Sequence, residues 1–199
     1  MQSTQGTEKG RKYRKLAAFG AFSTAAIMTQ PHLALGLPGH RALAWLALLV
    51  AMRLMGGAGW STGLGIAAAA GTLMIGRSPN GIPGVLQYVA AGALVDVALW
   101  LRPSLADKGL SLAGLGALVL VLVGWITPLS QSFSGGTDLG GIWMSLRDIS
   151  AAAWLKLVSY DFAFGAGAGL IGWAIVSLRF SRTPAGLTWK RPQEVGASS

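Results

Sequence analysis

Few residues in this chain of 199 can do chemistry, and they fall in a small number of places. Both histidines, His32 and His40, lie between Pro31 and Arg41, and there is no cysteine to join them. Two imidazoles this far apart beside an arginine make a poor cation site, because transition metals need several neutral or anionic donors. No metal centre is expected. His40, Arg41 and the Pro38-Gly39 turn instead suit a polar lid over an organic ligand, the alternative being a solvated loop with a snorkelling arginine.

The other polar candidates sit inside or beside apolar stretches. Gln87 and Tyr88 begin one of them and Asp96 lies two to three turns further along it, close enough to the inner boundary to pair with Arg53. Another carries Lys156 and Tyr160, which share a helix face at four-residue spacing, and Asp161, which is rotated away from Lys156. An ammonium there can neutralise an anionic or carbonyl-bearing ligand, or snorkel outward. Asp161 reads as a proton relay or as a structural partner for Lys156 or a neighbouring helix. Gln131 and Trp143 follow the fifth apolar stretch, and Trp125 and Trp143 suit stacking on a planar ligand. No nucleophile elbow, zinc-protease motif, Walker lysine or paired carboxylates occur, so no catalytic residue and no cofactor is expected.

The elements that must position these groups are membrane helices. The chain is 52% hydrophobic and 12% charged, with mean hydropathy +0.53, against about 25% charged residues in a soluble domain. Apolar runs at about 16–30, 42–56, 59–76, 84–101, 111–130 and 150–178 predict an all-α, polytopic bundle of six transmembrane helices. The Gly-Gly-Ala-Gly break at 56–59 argues for two short helices there instead of one long one. The net charge is +9, from 16 Lys and Arg against 7 Asp and Glu. With the N-terminus inside, Lys9, Arg11, Lys12, Arg14, Lys15, Arg53, Arg102, Lys108, Arg179, Arg182, Lys190 and Arg191 are cytoplasmic, leaving Arg41, Arg77 and Arg147 outside and Lys156 within a span. That asymmetry predicts both termini in the cytoplasm of a multi-pass cell-membrane protein. The expected organisation is a basic tail over 1–14, a membrane domain over 15–180 and a second tail over 181–199, with 1–10 and 183–199 unstructured. No aromatic residues interleave with the tail charges in a nucleic-acid-binding pattern, so the tails are expected to attract anionic lipid and not nucleic acid.

Ala17, Ala21 and Ala25, with Gly20 and Thr24 beside them, put a smooth stripe on the first helix. Such stripes let another helix approach closely, and packing within the same bundle is enough to account for the spacing. The stripe, the six short helices, the outer polar loop, the stretches Leu37 to Leu43 and Gly57 to Gly63, and Leu86-Gln87-Tyr88 followed by Gly92 to Asp96 together resemble the S components of energy-coupling factor transporters, over roughly residues 15–180. The resemblance implies a subunit that binds a vitamin or related small molecule near the outer face and delivers it inward. It also implies a coupling T component seated on Ala17, Ala21 and Ala25, and two cytoplasmic ATPase subunits, since this chain has no nucleotide motif. The implied ligand contacts are His40, Arg41, Gln87, Tyr88, Gln131, Trp143, Lys156 and Tyr160. The cobalt and nickel members begin Met-His whereas this chain begins Met1-Gln2, which argues against a metal cargo. Two other functions fit the same residues: an assembly subunit of another membrane complex, and a membrane-embedded enzyme acting on a lipid or quinone.

Overall fold

The computed structural model describes residues 3–29, 40–76, 81–126 and 151–180. Among these the chain forms six α-helices and no strand: α1 (Ser3–Thr29), α2 (His40–Gly56), α3 (Trp60–Met74), α4 (Gly81–Leu101), α5 (Gly109–Gly124) and α6 (Ala151–Phe180), with a 3-10 turn at Pro103–Asp107 between α4 and α5. Five of the six begin or end within a few residues of the apolar runs. The exception is α1, which starts at Ser3, so the first ten residues expected to be unstructured are largely helical. Their polar sequence has no apolar periodicity to announce a helix, yet Gln, Glu, Lys and Arg are good helix formers and continue one already begun. The tail at 183–199 lies outside the described residues.

The break at 56–59 does reverse the chain. Gly57 takes a left-handed φ of +95° and its N–H reaches back to the Arg53 carbonyl at 3.0 Å, a helix stop of the kind glycine permits without steric cost. Gly59, at φ +81°, then turns the backbone into α3.

Helix directions follow from which residues meet. Trp45 lies against Tyr88 and Arg53 against Asp96, so α2 and α4 run parallel. Gly167 faces Leu43 and Gly172 faces Val50, so α6 runs with them. Gly65 meets Tyr88 while Gly92 meets Ser61, which makes α3 antiparallel to α4; Gly116 meets Gly165 and Gly169 meets Leu112, which makes α5 antiparallel to α6. Met28 packs on Gly71, and Leu16 shares a cavity with Trp60, so α1 and α3 are parallel. Successive helices therefore alternate in direction, and the start of α1 lies at the same end of the bundle as the end of α6. That end also carries Arg11, Lys12, Arg14, Lys15, Arg53, Arg102 and Lys108.

The core is built on α2, whose Leu46, Leu49, Val50 and Ala51 are wholly buried, the helix packing chiefly on α6 and also on α1, α3 and α4. Two helices, α4 and the Val158–Leu178 stretch of α6, are long and apolar enough to cross a membrane, and α5 is a shorter apolar helix. Many large apolar side chains point outward, among them Met74, Trp100, Leu110, Leu155 and Leu178. A surface of this kind suits lipid better than water.

Candidate functional site

Two polar clusters occupy opposite ends of the bundle. At the end where α2 and α4 begin, the structure brings His40, Arg41, Gln87 and Tyr88 into one region. Trp45 and Tyr88 meet edge to face, ring centroids 5.4 Å apart at 77°, and Arg41 is within electrostatic reach of the phenol. This arrangement places the positive ring edge against a π face. Trp45 is 4% exposed, so it fixes the Tyr88 ring from beneath while Tyr88, Gln87 and His40 remain half-buried and Arg41 is exposed. His40, Arg41 and Gln87 are each engaged by neighbours. Sequence reasoning missed Trp45; a tryptophan one turn after Arg41 on the same helix was the available signal.

Of the other implied ligand contacts, Gln131 and Trp143 lie outside the described residues. Lys156 is on α6, with its side chain outside them. Tyr160 is described, but its ring stacks on Phe164 one turn along α6, with centroids 6.3 Å apart at 16°, and not on the Trp45–Tyr88 pair. Asp161 is 8% exposed and has no hydrogen-bond or ion-pair partner among the described residues. It packs against α5 where Gly124 leaves room: a Cβ on Gly124 would stand 2.7 Å from Oδ2. A structural pairing with Lys156 is outside the described contacts.

The ring pair yields a first prediction. Tyr88→Phe keeps the edge-on contact and should change thermal stability by less than about 1 kcal/mol, whereas Tyr88→Ala forfeits about 0.5–1.5 kcal/mol of ring pairing in addition to its apolar burial. Equal losses for the two substitutions in thermal unfolding would mean that the hydroxyl, not the ring, holds this corner.

At the opposite end, Asp96 ties three helices together. Its Oδ2 accepts the Thr62 N–H at 2.8 Å and the Thr62 Oγ–H at 2.6 Å, while Oδ1 lies 3.0 Å from Arg53 Nε. The Arg53 N–H is not aligned on Oδ1, so that contact is charge against charge and not a well-formed hydrogen bond. Thr62 occupies the first turn of α3, whose N-cap Gly59 has no side chain to offer, and Asp96 caps that turn from the neighbouring helix. The pairing of Asp96 with Arg53 is the structural role anticipated for it. Thr62 was not anticipated.

The alanine stripe is where the structure departs from the simplest expectation. Ala17, Ala21 and Ala25 are all exposed, while α1 packs inward through Leu16, Ser23 and Ile27. The stripe is therefore not used for packing within the described bundle. Ala17 and Ala21 instead edge a trough of about 580 Å³ between α1 and α3.

No three His, Cys, Asp or Glu side chains gather in a way that could hold a metal ion among the described residues. No family model matches the chain, and no curated protein or solved structure matches it.

Proposed function

We propose that this chain is the substrate-binding membrane subunit of an energy-coupling-factor type uptake transporter, crossing the cell membrane six times with both termini in the cytoplasm. It captures a vitamin-like small molecule at the outer end and relies on a coupling T component and two ATPase subunits to deliver it. The observation that carries this reading is the exposure of Ala17, Ala21 and Ala25, a close-packing surface that the described helices leave unused. Supporting it, the start of α1 and the end of α6 lie at the same end of the bundle, the one that is richest in basic residues among those described, as the positive-inside rule asks of a cytoplasmic face. The polar cluster of His40, Arg41, Gln87 and Tyr88 then lies at the outer end, on a floor set by Trp45.

The test is made on the protein purified from its own membrane. A vitamin and cofactor panel should contain a compound that raises its melting temperature, and a coupling subunit should co-purify. Ala21→Leu should abolish that co-purification while leaving the ligand-induced stabilisation intact, because residue 21 faces outward, away from the polar cluster. A protein that no compound stabilises, and that co-purifies with an unrelated membrane complex, would be an assembly subunit instead.

A further inference from the structure

The trough between α1 and α3 has a chemistry of its own. Its walls are Ala17, Gly20, Ala21 and Thr24 on α1 and Gly63, Leu64 and Ala67 on α3, with Met52 at its base. Leu16 and Trp60 line the end nearest the start of α1, alanine and glycine make up much of both walls beyond them, and no charged residue lines it. From Leu16 to Thr24 it extends about 12 Å along α1 at 1.5 Å per residue. It is therefore an open apolar trough, long enough to take part of a flexible chain. The end nearest the start of α1 is cationic. Arg11, Lys12, Arg14 and Lys15 are all exposed there, and Tyr13 is 50% exposed. Helical spacing selects among them: Arg14 is three residues before Ala17 and seven before Ala21, and Tyr13 is four before Ala17, so those two continue the wall of the trough. Lys12 and Lys15 are rotated off that face but remain near enough to contribute to the potential.

An apolar trough with exposed cations beside one end matches one amphipathic molecule closely. We propose that the α1–α3 trough is a binding site for an anionic phospholipid, with an acyl chain along Ala17, Gly20, Ala21, Gly63 and Ala67 and the headgroup phosphate at Arg14 beside Tyr13. The guanidinium provides paired donors to phosphate oxygens, and a tyrosine at this depth keeps its ring in the apolar layer and its hydroxyl among headgroups. The neighbouring lysines favour an anionic over a zwitterionic headgroup, each basic residue near the surface contributing about 1 kcal/mol, or about fivefold in affinity. Lipid can fill this trough whether or not a coupling subunit exists, so failure here and failure of the transporter reading are separate results. If both hold, a T component approaching Ala17 and Ala21 must displace the lipid.

The experiment is native mass spectrometry of the full-length protein in detergent, incubated with equal amounts of dioleoyl-phosphatidylglycerol and dioleoyl-phosphatidylcholine. The phosphatidylglycerol adduct should predominate. Arg14→Ala should lower its retention about fivefold, and Gly63→Leu should remove it by filling the trough. A Cβ at Gly63 meets nothing within 4 Å, so the backbone of α3 accepts a side chain there, and cooperative thermal unfolding of the same preparation checks that Gly63→Leu is folded. Lys108→Ala removes an exposed charge from the same end of the bundle, between α4 and α5, and should change nothing. Equal retention of the two lipids, adducts that survive Gly63→Leu, or a loss for Lys108→Ala as large as for Arg14→Ala would each overturn the site, the last by reducing it to general surface charge.

Discussion

Asp96→Ala is expected to cost about 3–5 kcal/mol of stability, the range found when one partner of a buried ion pair is removed. The loss exceeds the value of the pair itself because of what is left behind. Arg53, 7% exposed, would keep its charge with no counter-ion beside it, and the Thr62 N–H and Oγ–H would lose their acceptor at the start of α3. Three helices meet at this carboxylate, so its removal should loosen α2, α3 and α4 together. Thr62→Val removes only the hydroxyl contact to a charged acceptor and should cost about 1.5–3 kcal/mol. The double substitution Arg53→Met with Asp96→Leu removes both charges and refills the volume, and should recover most of what the single change loses. Thermal unfolding in detergent measures all three. If the double variant is no more stable than Asp96→Ala, the cost lies in packing and not in an orphaned charge.

This network also marks how far sequence can be read. Asp96 and Arg53 were legible as a pair because an acidic residue within an apolar run needs a counter-charge, and Arg53 was the basic residue at matching depth on a neighbouring span. Thr62 was invisible: a threonine in an apolar helix ordinarily bonds its own backbone, as Thr72 Oγ does to the Ala68 carbonyl at 2.7 Å, and nothing local says otherwise. The Trp45–Tyr88 contact was hidden for the same reason, being set by the depth at which α2 and α4 lie side by side. Helix positions were read well wherever glycine or proline punctuates an apolar run, and poorly at the polar start of α1.

Small-residue spacing shows the limit most clearly. Gly165 and Gly169 repeat at four residues, as Ala17, Ala21 and Ala25 do, and the pattern means close approach in both places. Yet the first pair is buried at the α5–α6 crossing, against Gly116 and Leu112, while the alanine stripe faces outward. Spacing declares that a helix can be approached; only the assembled bundle decides whether the neighbour comes from the same chain.

That difference predicts opposite signs for one substitution at two glycines. At Gly169 an added methyl would run into the Leu112 carbonyl and stand 2.9 Å from the Ala113 Cα, both backbone atoms that cannot turn aside. Gly169→Ala must therefore push α5 and α6 apart, at a cost of about 1–3 kcal/mol or more, and Gly169→Leu should prevent the two helices from docking. At Gly63 nothing stands within 4 Å of the new methyl. Gly63→Ala should instead stabilise the protein by about 0.5–1 kcal/mol, since alanine loses less backbone entropy than glycine in a helix. Packing among the described helices therefore does not require glycine at 63, and its small size leaves space in the trough beside it. Melting temperatures that rise for both substitutions would show that α5 and α6 are further apart than their backbones indicate; falls for both would mean that the α1–α3 trough is closed, leaving no channel for an acyl chain.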